Sequence, residues 1–264
     1  MNIIDPAIRV EVDLRNPGHF FGCCGLLELA DRFFEGGAEG WFEEHAFAIS
    51  CSGSLPELVE RFAKTELLQV DIEDKTASPI LVEIGKRSLR LDWWQDTRSG
   101  GKELKVWAGT MESLRIAKAL QKALRDPRFS TPQLFDVGVI AYDVEDSDKK
   151  VEPFYFDARR APNAHSRDVG FSANDLQLTT TASPAVELFT LIGLQRCLPI
   201  ERKRRSRIYS YSTWPVPLPP MILPAAVTGE IAFPGSRTFQ FENWYRTGQK
   251  KHKAFRPSVP AMKG

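Results

Sequence analysis

Pro184-Ala185-Val186-Glu187-Leu188-Phe189-Thr190-Leu191-Ile192-Gly193-Leu194 is the stretch around which the rest of the chain must be arranged. Val186, Leu188, Phe189, Leu191 and Ile192 cover most of a helical circumference, so the helix they form belongs at the centre of the fold. Ser183 offers a cap and Pro184 a first-turn residue. On both sides the chain turns cationic. Phe156-Asp157-Ala158-Arg159-Arg160 runs through Asn163, His165, Arg167 and Asp168 before the helix, and Arg202-Lys203-Arg204-Arg205-Ser206-Arg207 follows it. A buried helix between two cationic loops holds positive charge rigidly, as a polyanion-binding protein requires.

The 264 residues suffice for a sizeable core, and the formal net charge of +1 conceals a division. Residues 1–150 carry 26 acids and 19 bases, net −7, whereas residues 151–264 carry 8 acids and 16 bases, net +8. Opposed halves fit a protein that docks on something acidic through one face, or one that self-associates. Cys23, Cys24, Cys51 and Cys197 contain no Cys-x-x-Cys pair and read as small buried hydrophobes of a reducing compartment. The start of the chain has no cationic segment followed by an apolar run. The most apolar windows, 20–34 and 184–198, are too short and interrupted to cross a bilayer. The expectation is a soluble, cytoplasmic protein with no membrane partner.

Working outward, Ile8, Val10, Val12 and Leu14 alternate with Arg9, Glu11 and Asp13 at the period of a half-buried strand. A core helix is expected from His19 to about Glu35 after the Asn16-Pro17-Gly18 turn, closed by Gly36-Gly37. Trp41, Phe42 and Phe47 to Ile49 return to the core. A second helix is expected over 55–67, a hairpin over 80–94 around Gly85-Lys86, and an amphipathic helix over 110–125. That last helix gathers Ile116, Leu120 and Leu124 on one side and Arg115, Lys118, Lys122 and Arg125 on another. Strands are expected over 134–144 and 151–156 about a solvated acidic tip, Glu145-Asp146-Ser147-Asp148. Further strands are expected at 208–214, 231–233 and 238–241. The six bases and no acid among residues 243–264 read as a mobile basic tail. The fold class is therefore α+β: a single mixed-sheet domain over 1–242, with a subdivision near residue 150 as the alternative, a buried helix near 183–196 and a basic C-terminal tail.

Catalytic signatures are weak. Cys23 or Cys24 can be paired with His19, but a Phe/Leu environment keeps thiols protonated. His165, Asp168 and Asp175 can be drawn as a metal or acid–base group, although Arg159, Arg160 and Arg167 would oppose a divalent cation. There is no phosphate-cradling Gly-x-x-x-x-Gly-Lys loop, zinc-spaced His/Cys set or Gly-x-Ser-x-Gly elbow. The expectation is a non-enzyme without metal or cofactor. For binding there is more material: Arg forks onto phosphates and guanine edges, Asn163 or Asn174 can pair with adenine, and Trp93, Trp94, Tyr209, Tyr211 and Trp244 are candidate stacking surfaces, although aromatics in such alternating contexts are mostly core.

Several blocks together resemble a known family. They are Asn16-Pro17-Gly18 with Phe20-Phe21, Gly25-Leu26-Leu27-Glu28-Leu29-Ala30, Gly40-Trp41-Phe42, and Leu91-Asp92-Trp93-Trp94. They continue with Lys105-Val106-Trp107-Ala108-Gly109, Phe156-Asp157-Ala158-Arg159, and Pro184 to Leu188 leading to Gly193-Leu194-Gln195-Arg196. The ensemble resembles the type I-G (formerly I-U) CRISPR-associated protein family regarded as the Cascade large subunit. The resemblance implies a non-catalytic subunit of an RNA-guided surveillance complex, in contact with CRISPR guide RNA, target double-stranded DNA, other Cascade subunits and a recruited helicase-nuclease. It implies recognition of a short protospacer-adjacent motif, with sequence otherwise read by guide pairing. The chain is short for a large subunit and its pattern shows no obvious C-terminal helical bundle, so the sequence does not decide whether a small-subunit function is built in. On this reading Arg159, Arg160, Asn163 and Arg167 are the expected duplex or motif contacts. Arg202, Lys203, Arg204, Arg205 and Arg207 are expected on nucleic-acid backbone, with Lys118 and Lys122 secondary. The rivals are a structural subunit that binds only guide RNA and neighbouring proteins, and a metal-dependent nuclease.

Overall fold

The computed structural model describes residues 5–70, 79–84, 87–92, 112–160, 181–202, 206–245 and 252–261. The chain is an α+β protein built from antiparallel sheets around two packed helices. Strands β1 (Ile8–Glu11), β2 (Glu39–Phe42) and β3 (Ala46–Ser50) form one sheet in the order β1-β3-β2. Strands β4 (Leu67–Gln69), β5 (Ile80–Ile84) and β6 (Arg87–Leu91) form a second sheet in sequence order, and β7 (Ala141–Tyr142) with β8 (Lys150–Val151) makes a two-stranded hairpin. The largest sheet runs β12-β11-β10-β9, from β9 (Ile200–Glu201), β10 (Ile208–Ser212), β11 (Thr238–Tyr245) and β12 (His252–Phe255), with β13 (Val259–Pro260) also paired to β11.

Helix α1 (Pro17–Phe33) starts where Asn16 accepts a hydrogen bond from the Gly18 N–H, two residues earlier than the apolar periodicity suggests. Its Phe20 stacks on Tyr211 of β10 at 4.2 Å and on Phe42 of β2 at 5.1 Å, so one side chain joins two sheets. The opposite side of α1 meets α4 (Pro184–Gly193), the quoted central helix, every residue of which is buried. The two backbones touch through glycine. A Cβ on Gly25 would lie 1.9 Å from the Phe189 carbonyl oxygen, and one on Gly193 would lie 2.0 Å from that of Phe21. No larger residue fits at either position without separating the helices. Helices α2 (Leu55–Lys64), α3 (Ser113–Ala123) and the short α5 (Leu223–Thr228) complete the described helices.

Three expectations change on physical grounds. Ser183 does not cap α4: its hydroxyl donates to Asp157 Oδ2 at 2.8 Å instead. The long strands expected over 134–144 and 151–156 shrink to the two-residue β7 and β8. Their backbone groups bond elsewhere: the Phe156 and Asp157 N–H groups donate to the Glu187 carboxylate, and the Ala158 N–H donates to Asn16 Oδ1. Residues 231–233 likewise form no strand.

The expected mobile basic tail is also corrected. Residues 243–245 finish β11, and 252–261 fold back as β12 and β13 with Phe255 fully buried. The alternation of Phe239, Phe241 and Asn243 inward continues past residue 242, and β12 answers it with Phe255 opposite Asn243. Of the six bases, Lys253 lies within β12 and Arg256 just past it, and the other four are outside the described residues. Among the described residues no helix is long and apolar enough to cross a membrane.

Candidate nucleic-acid interface

Asn16, Asp157 and Glu187 form a buried polar hub where α1, α4 and the segment 154–160 meet, covered on the solvent side by the exposed Arg159. Asn16 Nδ2 donates to Asp157 Oδ1 at 2.7 Å, tying residues 141 positions apart. Arg159 covers the same carboxylate through Nε and one terminal nitrogen, donates to Asp136 at 2.6 Å and reaches the Phe135 carbonyl oxygen at 2.6 Å. Four of its five N–H donors are thus held within the molecule. Although burial opposes ionisation, the guanidinium and the Ser183 hydroxyl hold Asp157 down to about 2. Glu187 is the converse: fully buried, it is pushed up to about 8 despite two backbone donors, so it is neutral at pH 7. His19 accepts from the Asp13 N–H at Nδ1, and burial with the nearby Arg159 charge lowers it to about 4.

This hub answers two expectations about chemistry. The Cys23 and Cys24 thiols are buried and pushed well up by desolvation, and His19 Nδ1 is occupied, so no thiolate–imidazole pair forms. Arg159 is a clamp on Asp157, not a projecting fork. Arg160 is half-buried beside it, with Nε 3.9 Å from Asp157 Oδ2 and its terminal nitrogen packed over Gly138. Asn163, His165, Arg167, Asp168, Asn174 and Asp175 lie outside the described residues. Among the described residues no group of three or more His, Cys, Asp or Glu could hold a metal ion.

Orderly cations appear instead at one end of the largest sheet, Arg202 and Arg207 exposed, Arg256 half-buried and Lys253 buried. Arg202 N–H donates to the Ile208 carbonyl, Ile208 pairs with Glu242, and Arg256 N–H donates to the Glu242 carbonyl. Arg202, Ile208, Glu242 and Arg256 therefore form one row across four strands, on the face away from the core. At about 4.8 Å per strand the row spans about 14 Å. The next outward position of β11 is Trp244, whose Nε1 donates to Glu242 at 3.1 Å. The Arg256 guanidinium lies 3.9 Å from the Trp244 ring centroid, and the Lys253 ammonium lies 4.6 Å from it. A register shift after Trp244 makes Lys253 an extra residue in β12 and brings its amine to that ring. Arg207, exposed and in a left-handed conformation with φ of 62°, accepts at its carbonyl from the Asn243 N–H and so sits at the same sheet end.

Arg202 and Arg207 were expected as backbone contacts from sequence, and both lie at the end of the sheet that also carries Trp244. Lys203, Arg204 and Arg205 lie outside the described residues, within the connection between β9 and β10. Arg256 and Lys253 were missed, because six bases without an acid concealed the strand pattern of β11 and β12. Lys118 and Lys122 lie elsewhere, on α3. Trp93 is outside the described residues, and Tyr209 and Tyr211 are core, which leaves Trp244 as the aromatic of this interface.

No family model, curated protein or solved structure matches this chain. Within the blocks that carry the resemblance, Gly25 and Gly193 meet at the helix crossing, Asn16 bonds Asp157, and Arg196 pairs with Glu28 at 2.6 Å, while Trp93, Trp94 and residues 105–109 lie outside the described residues. The sheet-end residues belong to none of these blocks.

Proposed function

We propose that the chain is a non-catalytic, nucleic-acid-binding subunit of an RNA-guided CRISPR surveillance complex of the type I-G kind. In that role the end of the largest sheet grips nucleic-acid backbone. The observation that carries the reading is the row from Arg202 to Arg256 beside Trp244. Arg256 is orientated by a ring and not neutralised by an ion pair, so its charge remains available to an anion. Protospacer-adjacent motif recognition then falls to Asn163 and Arg167, since Arg159 is committed to the hub. Recruitment of the helicase-nuclease belongs to other surfaces.

The second reading, a structural subunit that grips guide RNA alone, is favoured by Trp244: an aromatic among cations suits single strands more than duplex. Sizing the particle purified from its own cells and sequencing the RNA it carries tests both. Short RNAs with a common repeat-derived end support the complex. Measured binding to motif-bearing duplex then separates the readings, because the structural subunit binds the RNA and not the duplex. A monomer without RNA that binds neither nucleic acid contradicts both.

A further inference from the structure

A second cationic surface lies in the acidic half of the chain and has a different make-up. Lys118, Lys122 and Arg125 follow one another at positions i, i+4 and i+7 along one side of α3 and its C-terminal turn. With Glu66, Leu67 and Val144 they line a groove of about 380 Å³ between α3, β4 and the β7–β8 hairpin. Of the acids nearby, Asp143 holds Arg115 and Asp126 holds Arg128, which leaves Glu66 as the one acid on the described lining. None of the three groove cations forms an ion pair among the described residues. Beside them runs an exposed apolar strip. Ile140, Tyr142 and Val144 are 37%, 40% and 41% exposed, while the alternating Ala141 and Asp143 point inward.

We propose that this groove docks an acidic, extended segment of a protein partner, with carboxylates on Lys118, Lys122 and Arg125 and alternating apolar side chains on Val144 and Tyr142. Charge complementarity sets the sign: Lys118, Lys122 and Arg125 form no ion pair among the described residues, and a carboxylate-bearing segment answers them. The apolar strip beside them favours a peptide over nucleic acid, because Ile140 and Val144 offer burial to aliphatic side chains and nothing to a sugar-phosphate backbone. An extended strand places every second side chain on one face, which matches the spacing of the exposed residues of β7. Lys118 and Lys122 are thereby separated from the sheet-end interface and reassigned to a protein.

The test uses the full chain and fluorescence anisotropy with three probes: an amidated eight-residue peptide alternating Glu and Val, its Gln/Val counterpart, and a mixed-sequence 20-nucleotide single strand. The Glu/Val peptide is expected to bind saturably at low salt and the Gln/Val peptide at least tenfold more weakly. Lys118→Gln/Lys122→Gln is expected to reduce Glu/Val binding about tenfold, and Val144→Ser about threefold, with oligonucleotide binding unchanged. Because Lys122 also faces the negative end of the α3 dipole, thermal melts of each variant check folding, and Lys118→Gln alone should still weaken the peptide. Failure of the Glu/Val peptide to bind, equal binding of both peptides, or loss of oligonucleotide binding in the Lys118→Gln/Lys122→Gln variant each overturns the proposal.

Discussion

Arg159 and Arg256 are both arginines in basic stretches, yet one is committed to a buried carboxylate and the other rests on an aromatic ring. Arg159 follows Asp157 by two residues, and Asp157 is completely buried, so the guanidinium folds back to neutralise it. Arg256 faces only the exposed Glu242 of its own row, with which it forms no ion pair among the described residues, and rests on the Trp244 ring. The difference shows that a cluster of cations in a sequence does not reveal which of them are free. A nearby carboxylate that must be buried claims its arginine, because an unpaired buried charge costs far more than a surface pair gains.

The sharpest way to break this comparison is at the acid. Asp157→Ala removes the acceptor of Asn16, Ser183 and Arg159 together and is expected to cost about 4 kcal/mol in urea unfolding. Next, Arg159→Ala leaves Asp157 charged and buried and should cost about 3 kcal/mol. Nucleic-acid affinity per folded molecule should not change. An Arg159→Ala variant of native stability that bound nucleic acid weakly would reverse the assignment.

The pH dependence of the hub sharpens the picture further. His19 is lowered to about 4 from 6.5, so its stabilising contribution is complete above pH 6.5 and lost as pH falls toward 4. Glu187 is raised to about 8 from 4.5, so its contribution is complete below pH 4.5 and lost as pH rises toward 8. Between pH 4.5 and 6.5 the two oppose each other, and stability from the hub should be nearly flat. Glu187→Gln should expose the His19 slope there, about 1.4 kcal/mol per pH unit, and abolish the decline between pH 6.5 and 8. Urea midpoints across that range provide the measurement. The smallest expected effect on stability is at the sheet end, where Arg202→Ala should change unfolding by less than about 0.5 kcal/mol.

Much of the fold was legible because the apolar pattern is strong where packing is tight. Residues 184–194 read correctly as a buried helix, and Ile80–Ile84 with Arg87–Leu91 as a hairpin pair, since both periodicities are unbroken. The segment 152–158 misled because its backbone is hydrogen-bonded by the side chains of Glu187 and Asn16, distant residues that no local pattern announces. The candidate site was half legible. Arg202 and Arg207 stand out as a run, but their proximity to Arg256 arises only from pairing β10 with β11 and β11 with β12. Lys253 required the register shift at Trp244, which leaves no mark in composition.

The central claim is that the sheet end grips nucleic acid while the hub does not. The most direct measurement is the affinity of the chain, alone and in any particle it forms, for single-stranded RNA and motif-bearing duplex as salt is varied, before and after Arg202→Glu/Arg256→Glu. The account predicts that the variant melts like the parent, binds every sequence more weakly, and loses about two from the slope of log K against log salt. Unchanged affinity and slope in the folded variant would contradict it.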